Sequence, residues 1–141
     1  MKLFLDTGAL VARYNKDDEH HKEAVDLFSG IAEGKIGVSK LYCSDYIVDE
    51  SLTTCYARTR DRKVATELGE AVLGSRSIVL LKVDELVFGA AWKMFREKYQ
   101  DVRLSFTDCT TSVLLERHGI RNIFSFDRDF EILGFTRLSH T

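Results

Sequence analysis

Short apolar runs alternate with longer amphipathic segments along this chain, and the alternation predicts strands separated by helices. Lys2–Asp6 reads as a buried strand that ends on an acid, and Thr7–Tyr14 as a short helix. Asp17 or Asp18 is placed to cap a second helix running to Glu33, where Gly34 stops it. Lys35–Ser39 predicts a short strand, and a long helix follows from Tyr42 to Arg60. Arg62–Leu73 predicts another helix, and Ser77–Val83 is the clearest β run in the chain. Asp84 is placed to cap a helix through Lys98, and Thr107 to cap the next, Asp108–His118, which Gly119 ends. Asn122–Phe126 predicts a strand that stops at Asp127, and Phe135–Leu138 a last one.

Strands alternating with helices indicate an α/β fold: three layers, α/β/α, with a mostly parallel central sheet covered on both faces. The chain has no proline, and no repeat or low-complexity segment marks a linker, so residues 1–141 are expected to form a single domain. In such sheets binding sites form beyond the carboxyl ends of the strands. Two acids stand at such ends: Asp6 after Leu3-Phe4-Leu5, and Asp127 after Ile123-Phe124-Ser125-Phe126. Both are expected to face one crevice.

Composition narrows the class. With 45% hydrophobic and 30% charged residues the chain resembles an ordinary soluble domain. No apolar stretch approaches the ~20 residues that cross a bilayer. The start does not resemble a signal peptide, so a cytoplasmic protein without membrane contact is expected. Cys43, Cys55 and Cys109 lack metal-type spacing and read as free buried thiols. A net charge of −2 argues against gripping nucleic acid by bulk charge. It leaves room for a metallonuclease, whose site must be locally acidic. Arg58, Arg60, Arg62 and Lys63 form one basic patch, read here as a solvated helix face.

The two strand-end acids need partners. An acid ending a buried strand is costly unless it is capping, paired or metal-bound, and Asp6 could simply cap the helix at Thr7. Glu50 has Cys43, Tyr46, Ile47, Thr54 and Ala57 as helical neighbours, so it lies on an uncharged stripe with no basic partner. A salt bridge from another element is the alternative. Asp45 and Asp49 share a different face and read as solvated. Asp108 falls in the first turn of its helix, where the macrodipole favours an acid. Thr111 and Ser112 would give its face a small polar surface with room for water and phosphate oxygens. Asp127 and Asp129 could cap the short helix after the last buried strand, with Asp127 the better placed for the crevice.

Four such acids in one place would repel one another unless cations lay among them. All-oxygen ligation suits hard ions, Mg²⁺ or Mn²⁺. No His/Cys set favours Zn²⁺; His20, His21, His118 and His140 read as solvated surface.

The sequence at this point resembles the PIN-domain nucleases, and within them the VapC-type toxins of toxin–antitoxin pairs. Leu5-Asp6-Thr7-Gly8-Ala9-Leu10 is similar to the family's opening strand-acid-Thr/Ser motif, and Tyr46-Ile47-Val48-Asp49-Glu50-Ser51-Leu52 to the helix bearing its second acid. Ser105-Phe106-Thr107-Asp108-Cys109 resembles the segment with the third. Ile123-Phe124-Ser125-Phe126-Asp127-Arg128-Asp129-Phe130 resembles the closing strand-acid-x-Asp-Phe signature, although a Thr is common where Ser125 or Phe126 stands. No single motif is specific, but their order and spacing over nearly the whole chain are.

The resemblance implies an endoribonuclease that hydrolyses RNA to leave a 5′-phosphate. One or two Mg²⁺ or Mn²⁺ ions would sit among Asp6, Glu50, Asp108 and Asp127, helped by Asp129, and Thr7 and Thr107 would orient the carboxylates with their hydroxyls. It also implies a small antitoxin partner and a homodimer, with Tyr42–Tyr56 and Leu86–Phe95 apolar enough to serve core and interface. A housekeeping RNA-processing nuclease, or a non-catalytic PIN-like module that binds RNA or protein, are the alternatives. A haloacid-dehalogenase-type phosphatase needs a second Asp where Gly8 stands. A receiver domain fits badly around Val83-Asp84 and after Phe126.

Overall fold

A computed structural model describes residues 1–97 and 103–138. Its centre is a five-stranded sheet in which every pairing is parallel, in the order β3-β2-β1-β4-β5. The strands are β1 (Lys2–Leu5), β2 (Lys40–Ser44), β3 (Ile78–Leu81), β4 (Asn122–Phe124) and β5 (Thr136–Leu138). The helices are α1 (Thr7–Tyr14), α2 (His21–Ala32), α3 (Asp45–Thr59), α4 (Arg62–Leu73), α5 (Glu85–Glu97), α6 (Phe106–Arg117) and the single turn α7 (Asp129–Ile132).

From β1 the chain crosses through α1 and α2 to β2, then through α3 and α4 to β3, moving always to one side. It returns through α5 and α6 to β4 on the other side of β1. Right-handed crossovers therefore put α1–α4 on one face and α5–α7 on the other. Packing of α1 on α2, α3 and α4, and of α5 on α6, agrees. The order reverses between β1 and β4, and a crevice opens above the carboxyl ends of these neighbours. Both are covered on two faces, which is why they are continuous apolar runs: Leu3, Phe4, Leu5, Ile123 and Phe124 are fully buried.

Several boundaries differ from the sequence expectation. The second strand is Lys40–Ser44, not Lys35–Ser39. Gly30 O accepts the amides of Lys35 and Ile36, holding that segment back against the end of α2, and the ladder to β1 begins only at Lys40. Tyr42 to Ser44 are thus strand, and the long helix starts at Asp45 because Ser44 Oγ accepts from Ile47 N at 3.1 Å. α2 starts at His21, with Asp18 Oδ1 accepting the His20 amide in the turn before it. Ser105, not Thr107, caps α6. Asp84 Oδ1 does accept from Val87 N at the start of α5, and Gly119 ends α6 at φ 62°. The expected continuation of α5 to Lys98 lies outside the described residues.

Two surface assignments are also corrected. Asp45 is not a solvated charge: its Oδ1 accepts the amides of Tyr46 and Val83, pinning the start of α3 to the segment after β3. His20 and His21 are half-buried. The His20 ring stacks on Phe126 at 4.2 Å between centroids, and His21 Nδ1 lies 2.7 Å from Ala12 O. His118 is exposed as expected, and His140 lies outside the described residues. Cys43, Cys55 and Cys109 are buried and free, with burial pushing the Cys43 thiol up to about 12.

Candidate active site

Asp6 follows β1 in extended conformation, φ −89° and ψ 161°, in the N-cap position of α1. Its side chain makes no capping hydrogen bond there. It accepts instead from Ser125 Oγ, at 2.7 Å, across the β1–β4 junction. The same Ser125 oxygen accepts from Asp127 N at 3.0 Å, so one buried hydroxyl ties both strand-end acids together. Arg137 on β5, 3% exposed, donates from Nη1 to Ser125 O at 3.2 Å and holds this strand end from below.

Asp108 enters from the first turn of α6. It forms a reciprocal capping box with Ser105: Ser105 N donates to Asp108 Oδ2, and Asp108 N to Ser105 Oγ, each at 3.0 Å. The box fixes the carboxylate against its own helix. Glu50 comes from the middle of α3, half-buried, and makes no ion pair among the described residues. Asp127 follows β4 and accepts from Asp129 N with Oδ1 at 2.9 Å.

These four acids line one cleft of about 590 Å³, together with Thr7, Gly8, Thr54, Arg58, Ser105, Phe126 and Arg128. Their fields reach one another. Burial pushes Asp6 up to about 7; the charges of Asp108 and Glu50 add to this, while the Ser125 hydroxyl and the nearby Thr7 amide oppose it. Burial likewise pushes Asp108 up to about 6, with Asp127 and Glu50 adding to the shift and Ser105 opposing it. Each carboxylate was thus expected in the cleft, and each is there.

The supporting side chains differ from expectation. Thr7 lines the cleft, but its buried hydroxyl has no hydrogen-bond partner among the described residues. Thr107 contributes its carbonyl to Thr110 Oγ1, and the cap it was expected to provide comes from Ser105. The Ser125 hydroxyl holds the Asp6 carboxylate, and the Ser105 backbone amide holds that of Asp108. Ser125 had one signal, a lone hydroxyl inside an apolar strand; Ser105 had its three-residue spacing from Asp108. Thr111 and Ser112 are buried within α6 and do not line the cleft, so they offer no polar rim. Asp129 opens α7 and is also absent from the lining. Burial and the neighbouring Asp127 raise its pKa. Arg58, expected on a solvated face, and Arg128 both stand on the cleft wall.

The donor set is entirely oxygen, which fits a hard divalent cation. Among the described residues no three His, Cys, Asp or Glu groups converge into a preformed cage. An open arrangement of this kind suits Mg²⁺, which keeps several waters and needs only one or two direct carboxylates.

Comparison with solved structures finds the same fold in toxin proteins. The VapC20 toxin of Mycobacterium tuberculosis, described as cleaving the sarcin–ricin loop, superposes with a TM-score of 0.86 at 23% identity, covering 97% of this chain and 98% of that one. VapBC2 of Rickettsia felis, bound to a DNA fragment from its promoter, superposes with a TM-score of 0.66 at 9% identity, covering 98% of each chain. At such identities the likeness is one of fold. No curated protein gives a significant match. The sequence itself matches the PIN domain family over residues 3–135, and this chain is therefore a member of the PIN-domain family.

Proposed function

We propose that this protein is a divalent-metal-dependent endoribonuclease, and that it serves as the toxin of a VapBC-type pair. One observation carries the reading: Asp6, Glu50, Asp108 and Asp127, drawn from four different elements, line a single cleft at the β1/β4 switch point. A fold has no structural need for such a gathering, which costs stability through burial and mutual repulsion. Chemistry on a phosphodiester does need it.

Asp6, Glu50, Asp108 and Asp127 would hold Mg²⁺ or Mn²⁺, directly or through water, with Asp129 as an outer contributor. The ion would supply charge neutralisation at the phosphate and a water of lowered pKa. The chain's own part is placement. Ser125 fixes Asp6 and the Asp127 backbone in one register, and the Ser105 box fixes Asp108. The acids then accept the proton of the attacking water from set positions, so the protein does orientation and proton management with no covalent intermediate.

The toxin assignment rests on the fold shared with VapC20 and VapBC2 over nearly the full length of each chain. An antitoxin from a neighbouring gene is the expected partner. A second copy of this chain is the other, for which α5 keeps Leu86, Phe88, Trp92 and Phe95 exposed. Among the described residues no helix is long and apolar enough to cross a membrane.

The test is cleavage of structured RNAs, including a sarcin–ricin hairpin, by the purified chain in Mg²⁺ or Mn²⁺ and in EDTA. Metal-dependent cutting that leaves 5′-phosphates, lost in Asp6→Asn, is expected. Expression of the wild type should arrest growth, and Asp6→Asn should not. An absence of cutting under all conditions would favour a non-catalytic RNA- or protein-binding module. Cutting without toxicity would favour a housekeeping role in RNA processing.

A further inference from the structure

Arg58 shares a stripe of α3 with Glu50 and Thr54 at four-residue spacing, and all three line the acidic cleft. Its side chain is 59% exposed, and Nη1 lies 3.7 Å from Asp18 Oδ2, too far for a hydrogen bond. Asp18 is itself fixed in the turn before α2, 12% exposed, with Oδ1 accepting from His20 N at 2.8 Å. A rigid acid thus tethers the guanidinium loosely at the cleft wall, leaving its donor edges free to turn toward a ligand.

We propose that Arg58 binds the RNA backbone at a phosphate flanking the scissile one, with Asp18 as its positioning residue. This rests on the nuclease reading and deepens it. The cleft wall carries four acids against two arginines, and the chain as a whole has a net charge of −2. A polyanion gains nothing from bulk charge here, so local cations must draw it in. Guanidinium is suited to this, since its paired donors match two phosphate oxygens at once. Position selects which phosphate. Eight helical residues separate Arg58 from Glu50, or about 12 Å along the axis at 1.5 Å per residue. That span places Arg58 beyond the reacting centre and beside the neighbouring backbone.

A contact to a flanking phosphate acts on the bound substrate and the transition state alike, so its loss raises KM and spares kcat. The experiment compares the wild type with Arg58→Gln, Arg58→Lys and Asp18→Asn. Binding of a short single-stranded RNA is followed by fluorescence anisotropy across salt concentrations in EDTA, where no cleavage occurs. Arg58→Gln should weaken binding roughly tenfold and flatten the slope of log K against log salt by about 0.7, the value of one phosphate contact on a single strand. With Mg²⁺ its KM should rise roughly tenfold while kcat stays within about twofold of wild type. Arg58→Lys should restore the slope but only part of the affinity. Asp18→Asn should keep the slope and lose affinity modestly, because the charge remains but is less well placed.

An unchanged slope and KM in Arg58→Gln would overturn the proposal, and so would a fall in kcat at constant KM. If Arg58→Gln fails to fold, Arg58→Lys decides: affinity equal to wild type rejects the bidentate contact, and weaker binding with an intact slope supports it. A wild type that cuts no RNA would count against the nuclease reading. The salt slope is read without cleavage, so the two failures are separable.

Discussion

Replacing Asp6 by Asn should make the metal-free protein more stable and its function worse. Burial and neighbouring charge lift Asp6 from its ordinary value of 3.8 to about 7. Between those values the folded protein holds a proton that the unfolded chain has released, so stability falls as pH climbs through that window. For a single group with these constants, the cost of ionisation is about 4 kcal/mol at pH 7, about 2 at pH 5 and under about 1 at pH 4. Relaxation around the ionised carboxylate and water reaching it bring the cost at pH 7 to about 2 kcal/mol. Asn keeps an oxygen that can accept from Ser125 Oγ, so the substitution removes the charge without orphaning the hydroxyl. At roughly 3–4 °C per kcal/mol for a chain of this length, Asp6→Asn should gain about 7 °C in Tm at pH 7 in EDTA. The gain should shrink to about 1 °C at pH 4. Mg²⁺ should then raise the Tm of the wild type and leave that of Asp6→Asn nearly unchanged. Thermal melts followed by circular dichroism over pH 4–8, with EDTA or Mg²⁺, measure all of this. If Asp6→Asn is no more stable than wild type at pH 7 in EDTA, or its gain is the same at pH 4, then burial of charge at Asp6 has been misjudged.

Glu50→Gln should cost at least about a hundredfold in cleavage rate and weaken Mg²⁺ binding measured calorimetrically, because no ion pair among the described residues occupies this carboxylate. Ser125→Ala removes the hydroxyl that lowers the Asp6 pKa, so the rise of activity with pH should move upward while the melting temperature falls by about 1–3 kcal/mol worth of stability. In wild type at low Mg²⁺, cleavage should increase from pH 5 to pH 8 as Asp108 and Asp6 lose their protons. The limb should shift to lower pH as Mg²⁺ is raised, since cation and proton compete for the same oxygens. Iodoacetamide at pH 8 should leave the native thiols unmodified by mass spectrometry, because Cys43 is pushed up to about 12 and Cys109 to about 11, and all three cysteines are buried.

The sheet and the four carboxylates were legible because both leave one-dimensional signatures. A strand buried on both faces is an apolar run, and an acid directly after it breaks the run at the place where parallel sheets bind ligands. α1 and α4 were readable to the residue; α4 is bounded by the Asp61 cap and by Gly74, and α1 by the acid that ends β1. β2 was misplaced because Lys40–Ser44 and the helix after it share one mildly apolar stretch. Only pairing with β1 decides where strand ends and helix begins. Ser125 and Arg58 were hidden for a related reason. Their meaning lies in contacts with Asp6 and Asp18, residues 119 and 40 positions away, and neither serine nor arginine announces such a partner in sequence.

That separation has a consequence for when the cleft assembles. β1 acquires its second neighbour, β4, across a separation of 119 residues, Leu3 pairing with Asn122. Contacts of such long sequence separation form late in folding, and a chain emerging at about 5–20 residues per second stays without them for several seconds. Until Asn122–Phe124 adds to the sheet, Ser125 cannot reach Asp6, and the Asp127 wall of the cleft does not exist. A growing chain of this design therefore carries Asp6 and Glu50 apart from their later partners until the residues after β4 fold back onto β1. The acidic cleft takes shape only once β4 has joined β1.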